Sequence, residues 1–356
     1  MSRPGAHPEG VTRRSALGML GALGALAAAA CGGGTAAPKG PSTPDLAVDP
    51  LVDLLPAAGL VWLFDVHARE LLANPALAPA VATLFPQDRF EAFAASHGGV
   101  DLRRAERLAL ADYGGSFVAA AETRYDAPAV EKAFAAHVVD PGPRVVEGGV
   151  TRLSGGGQGE RSEPGEPGVR GVRGVRERQG LALLGGEALV FERGDVGLLV
   201  AVSAFARRKL HKTKPALHAE PLATAASLLG DAPFRAFAAG PFTGEWAGGL
   251  GGLLRATTAA GAAVRVEPGP ALRAHVVLTG AWGTDAPAAA ERLGAAVQLL
   301  ATDSLGRLLG LDHPLEDPKV SGAPDALRLE FLLDPVRLAR GLHAATDAKI
   351  SEVMAY

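Results

Sequence analysis

Glu122–Val138 reads ETRYDAPAVEKAFAAHV, and Ala281–Val297 reads AWGTDAPAAAERLGAAV. Both place Asp-Ala-Pro between the end of an apolar stretch and the start of a helical period. Aspartate suits the cap because its carboxylate can accept from first-turn N–H groups, and proline suits the first turn because it lacks a donor there. In the first copy Ala129, Val130, Ala133, Phe134 and His137 share one helix face; in the second, Leu293, Val297, Leu300, Leu308 and Leu311 form the stripe. A third echo is Leu327–Leu333, then Asp334-Pro335 and a helix carrying Leu338, Leu342 and Ala345. A hairpin precedes each Asp-Ala-Pro: Arg107–Ala111 with Phe117–Thr123 about Asp112-Tyr-Gly-Gly115, and Ala262–Glu267 with Ala271–Thr279 about Pro268-Gly269-Pro270. The pattern predicts an α+β fold of two related halves, antiparallel strands and hairpins packed with amphipathic helices.

Working outward, Gly59–Val66 reads as a largely buried strand, and helical segments follow to about Ser96, with Pro86 at a helix start and Gly98-Gly99 as the stop. Two short strands flank Gly148-Gly149, and strands are expected at Glu187–Glu192 and Gly197–Val202. Arg193-Gly194-Asp195 between them reads as ordinary turn chemistry, not an adhesion signal. Helices are expected at Pro221–Leu229 and Trp246–Ala260. Ser154–Gly180 has nine glycines, two prolines and three Gly-Val-Arg triplets in phase, with little to bury. It reads as a disordered insertion. The body therefore divides into a first α+β unit, 51–215 with the insertion 154–180, and a second unit, 216–356.

The N-terminus has a different grammar. Arg13-Arg14 opens a run of apolar or small residues, Ala16–Ala30, that ends at Cys31, the one cysteine of the chain. A basic start, a short apolar run and a small-residue end make an export signal. The run is shorter than the roughly 20 residues a spanning helix needs. Ala28-Ala29-Ala30-Cys31 resembles the lipobox of bacterial lipoproteins, with Ala28 where leucine is preferred. The resemblance implies that 1–30 is a signal peptide, that Cys31 is lipidated on sulfur and becomes the first residue, and that the protein is held in the cell envelope. Thr12-Arg13-Arg14-Ser15-Ala16-Leu17 resembles a twin-arginine motif, implying export of the folded protein; the general secretory route is the alternative. Residues 31–50, rich in Gly and Pro, read as a flexible tether. The body weakly resembles uncharacterised two-repeat envelope lipoproteins, which carry no function with them.

The chain of 356 residues has a formal charge of −3; removing 1–30, with three arginines and one glutamate, leaves about −5. That acidity argues against a nucleic-acid partner. Few of the chain's residues fall in a pattern that carries chemistry. Gly114-Gly115-Ser116 is not a nucleophile elbow, and Gly244–Gly252 (GEWAGGLGG) lacks dinucleotide spacing. Asp65-x-His67 is the best metal pair because alternate strand residues share a face, but it has no third ligand nearby. Asp312-His313 with Glu316 and Asp317 reads as a solvated loop, and Trp62, Trp246 and Trp282 read as core.

The sharpest charge feature is the run from Arg207 to Lys214: Arg207, Arg208, Lys209, Lys212 and Lys214, five cations in eight residues, suited to an anionic surface or an acidic partner. The sequence thus predicts a membrane-anchored envelope lipoprotein, without cofactor or metal, in a non-catalytic structural or protein-binding role. Its partners would be the membrane, through the lipid anchor, and an envelope protein. The alternatives are a carrier for an apolar ligand such as a lipid, and a metal-dependent hydrolase using Asp65 and His67.

Overall fold

A computed structural model describes residues 46–75, 87–157, 178–194, 197–268, 271–300 and 316–340. Twelve strands form one antiparallel sheet. They are β1 (Trp62–Val66), β2 (Arg107–Asp112), β3 (Ser116–Glu122), β4 (Val145–Glu147), β5 (Val150–Gly156), β6 (Arg178–Leu184), β7 (Ala188–Gly194), β8 (Phe234–Ala239), β9 (Thr257–Val266), β10 (Leu272–Gly280), β11 (Glu316–Ala323) and β12 (Ala326–Leu333). Their order is β11-β12-β10-β9-β8-β1-β2-β3-β7-β6-β5-β4. The helices are α1 (Ala68–Leu72), α2 (Gln87–Ser96), α3 (Ala127–His137), α4 (Leu199–Ala206), α5 (Leu222–Leu229) and α6 (Ala286–Leu300), with a further helical segment at 335–340.

Helices cover both faces because the sheet is apolar on both. One face carries Leu63, Ala109, Val118, Val190, Ala182 and Phe237 and is packed by the 3-10 turn Leu51–Leu54, α4 and α5. On the other, α3 and the chain after α2 cover Leu181 and Leu183, while α6 and the 3-10 segment Leu250–Ala256 cover Leu272, Leu278, Leu327 and Leu329. Between these lies an aromatic group from β1 and its neighbours: Trp62 is 4.9 Å from Phe64 and 6.2 Å from Phe117, and Phe64 is 5.9 Å from Phe234. The sheet runs unbroken between the expected units through β1 and β8, paired from Trp62↔Ala238 to Val66↔Phe234.

The strand at Gly59–Val66, the hairpin about Asp112–Gly115 and the pairing around Gly148-Gly149 lie where expected, as do β9–β10, α3 and the described start of the Asp285 helix. Asp126 holds the N-cap position of α3 without a side-chain cap bond, whereas Asp334 Oδ1 accepts from Val336 N at 2.8 Å. Pro86, Leu308, Leu311, Leu342 and Ala345 lie outside the described residues.

Several expectations are corrected. Gly197–Val202 is not a strand; α4 occupies Leu199–Ala206 and buries Leu199, Ala201, Val202, Ser203, Ala204 and Ala206. A helix buried nearly all round has no polar face, so its sequence reads like a buried strand. The connection after β7 is therefore strand to helix, with Arg193-Gly194 in β7 and Asp195 outside the described residues. Trp246–Ala260 is two 3-10 segments, Gly244–Gly248 and Leu250–Ala256, followed by β9.

The expected insertion 154–180 is too wide at both ends. Ser154↔Gly180, Gly155↔Gln179 and Gly156↔Arg178 are rungs of β5–β6, and only 158–177 lies outside the described residues. Glycine is used here for clearance: a Cβ on Gly155 would sit 2.5 Å from Val138, and one on Gly180 would sit 2.7 Å from Leu199. Nor does the tether extend to residue 50. Leu46 and Val48 pack on the core, and Asp49 Oδ1 accepts from Arg107 at 2.8 Å.

Beside β6, the α2–α3 seam holds a histidine stack. The ring of His97 lies 3.9 Å from Phe93 and 5.3 Å from His137. Burial, with the positive charge His137 can carry, lowers the His97 pKa below its ordinary 6.5, against the pull of the Phe93 carbonyl. A histidine with a lowered folded pKa favours folding when neutral. Its contribution is full above about pH 6.5 and is lost as pH falls through the folded value. We expect the melting temperature to decline as pH is lowered below 6.5, and the decline to shrink in His97→Gln. An equal slope in both proteins would place the acid sensitivity elsewhere.

Candidate functional site

The five cations of the basic run sit at the C-terminal end of α4, where the N-terminal segment joins the body. Ala47 N donates to Ala206 O at 2.8 Å, so the chain enters against the last residue of α4. The helix then closes in a Schellman arrangement: Arg208 has φ 53, its N–H donates to Phe205 O at 2.8 Å, and Lys209 N–H donates to Ala204 O at 2.8 Å. Glycine normally holds this left-handed position, since a side chain there costs about 1–2 kcal/mol. Arg208→Gly should raise stability by up to about 1 kcal/mol in urea titration, the relief being offset in part by glycine's unfolded-state entropy.

Two of the cations are engaged. Arg207 pairs with Glu147 of β4, and Lys209 Nζ lies 3.3 Å from Glu147 Oε1. Together they hold the Glu147 carboxyl below its ordinary range, Arg207 contributing most. Arg208, Lys212 and Lys214 are exposed and have no acidic partner among the described residues. His211 meets the Phe205 ring edge-on at 5.6 Å. Lys214 O accepts from Ala57 N at 2.9 Å, and Pro215 bridges to Pro56. Both ends of the loop are thus fixed to the body. Between them Leu210 is fully exposed, at 104%.

The other candidate residues have structural partners. Asp65 does not meet His67; its Oδ2 accepts from Arg235 Nε at 3.0 Å and from Nη2 at 2.5 Å, while His67 Nδ1 lies 3.7 Å from Glu70. No group of three metal-ligating side chains occurs among the described residues. Asp53 and His218 are 3.0 Å apart and join the 3-10 turns Leu51–Leu54 and Ala216–His218, with burial raising the Asp53 pKa against the opposing effect of His218. Glu192 lines a cleft of about 220 Å³ with Arg152, Arg178 and Val200. Its carboxylate accepts from Leu198 N at 2.9 Å and Leu199 N at 3.2 Å, so it caps α4, and burial raises its pKa.

Ser116 begins β3 beyond the hairpin turn, Glu316 pairs with Arg337, and Asp317 pairs with Arg273 and Lys319. Trp62 and Trp282 are buried, as core residues should be. Arg13, Arg14, Cys31, Asp312 and His313 lie outside the described residues, as does the side chain of Trp246.

The sequence marked the cations but not the contacts that organise them. Glu147 and Ala47 are remote in sequence from the run, and nothing local announces them. Leu210 carried the one available signal, an apolar residue alone among charges. No helix among the described residues is long and apolar enough to cross a membrane. No family model, no curated protein and no solved structure matches the chain.

Proposed function

We propose that the chain is an envelope lipoprotein, anchored through acyl groups on Cys31 and serving a non-catalytic structural or protein-binding role. The observation that carries this reading is the placement of the sole cysteine directly after Ala28-Ala29-Ala30, at the end of a basic-then-apolar signal. The chain's entry against α4 gives the tether a defined place of attachment. Engagement of Asp65 by Arg235 favours the non-catalytic reading over a hydrolase that would need that carboxylate for a metal. A carrier role draws no support from the cleft beside Glu192. Its walls include Val145, Leu153, Leu199 and Val200 beside Arg152, Arg178 and Glu192, but at about 220 Å³ it lies below the roughly 300–1,000 Å³ of ordinary ligand pockets.

The body is read as a duplicated unit. Outward from the central pair, one half runs β1-β2-β3-β7-β6 and the other β8-β9-β10-β12-β11. In each, helical segments separate the first two strands, an Asp-Ala-Pro helix follows the third, and helical residues follow the last strand in chain order, β7 in one half and β12 in the other. The β4–β5 hairpin is then an addition to the first half.

Metabolic labelling with radioactive palmitate tests the anchor. The unsubstituted protein should take up label and Cys31→Ala should not; equal labelling of both would sink the reading.

A further inference from the structure

We propose that the body docks on an anionic membrane through the loop 207–214, with Leu210 entering the headgroup region. This rests on the anchored reading above and adds an orientation and a lipid chemistry to it. Three features meet at the loop.

The first is charge. Five cations less the Glu147 carboxylate leave about +4 at one end of α4, on a chain whose net charge is −3. Arg208, Lys212 and Lys214, without acidic partners among the described residues, can turn to lipid phosphates. Cations close to an anionic leaflet are attracted, and the attraction fades within a Debye length.

The second is Leu210. A leucine held fully in water at the tip of a cationic loop is unfavourable in the isolated protein, and the loop is fixed at both ends. Interfacial binding combines an apolar group buried at the headgroup boundary with cations around it. Arg208, Lys209, Leu210 and Lys212 supply both.

The third is the point of attachment. Ala47 is bonded to Ala206, the residue before the basic run. Residues 32–45 are all that separates Cys31 from the body and, whatever their conformation, cannot reach beyond about 50 Å. An anchor at Cys31 therefore keeps this end of α4 within about 50 Å of the bilayer, a reach from which the loop can meet it. An acidic protein would satisfy the charge, but neither the exposed leucine nor the chain entry calls for one.

The chain's single cysteine makes the test direct. In full-length Cys31→Ser, a second change, Leu210→Cys, gives one site for an environment-sensitive fluorophore. A matching label at Val320, on edge strand β11, serves as control. On phosphatidylglycerol vesicles at low salt the label at 210 should shift to shorter wavelength and become protected from an aqueous quencher. The label at 320 should not, and neither label should respond to phosphatidylcholine vesicles. Raising the salt should reverse the shift at 210.

Removing two cations, Arg208→Ala with Lys212→Ala, should weaken the response to anionic vesicles about thirtyfold, at roughly 1 kcal/mol per cation and 1.4 kcal/mol per decade. No shift at 210, or equal shifts on neutral and anionic vesicles, would overturn the proposal. So would binding to polyglutamate without insertion into vesicles, which would assign the loop to an acidic protein. The salt reversal is read on the parent labelled protein and does not depend on how the cation variant folds. Because Cys31 is absent from every arm, failure here is separate from failure of acylation at Cys31.

Discussion

Asp65→Ala is expected to destabilise the fold by about 3–5 kcal/mol, the usual cost of breaking a buried ion pair from one side. Asp65 is 2% exposed and Arg235 14%, and they face each other as register partners on β1 and β8. Alanine would leave the guanidinium with the Gly230 carbonyl at 3.3 Å and no directly paired carboxylate, Asp53 being an acid still within electrostatic range. Replacing both, Asp65→Leu with Arg235→Met, should recover most of the loss, because an apolar pair of similar volume avoids desolvating two ions. Urea unfolding of the two single variants and the double variant makes the comparison. A single variant within about 1 kcal/mol of the parent would show that water reaches the pair.

Cys31→Ala should convert a stably membrane-bound protein into one released by a high-salt wash. Each buried CH₂ contributes about 0.8 kcal/mol, so two acyl chains hold firmly, whereas cations alone are screened. The apolar run Ala16–Ala30 is too short to span, and no described helix replaces it. Fractionation with and without salt separates the contributions. Full retention of the variant in the salt-washed membrane fraction would assign anchoring to something other than Cys31.

The legible parts of the fold were those with a local signature. The β2–β3 hairpin announces itself through alternation about Asp112–Gly115, and α3 and α6 through Asp-Ala-Pro followed by a one-sided apolar stripe. What was missed depends on partners far along the chain. Arg178–Leu184 sits beside glycines that read as loop, although those glycines admit Val138 and Leu199 against the sheet. β11, EDPKVSGA, is exposed along all but its last residue and carries no apolar pattern; its pairing with β12 makes it a strand. β8 has Arg235 pointing toward Asp65, a polar residue inside the sheet whose reason lies 170 residues away.

The site divides in the same way. Its five cations are written in eight consecutive residues, and Leu210 stands out among them. Nothing in that stretch tells that Glu147 takes up Arg207 and Lys209, or that the chain from residue 46 lies against Ala206. Those contacts leave Arg208, Lys212 and Lys214 turned outward and give the surface its direction.

The mass of the N-terminal peptide, from protein extracted from the membranes of the cell that makes it, tests the lipoprotein claim most directly. The account predicts a peptide that begins at Cys31 and carries the added mass of acyl chains. A peptide that retains residues 1–30, or one with an unmodified Cys31 thiol, would contradict it.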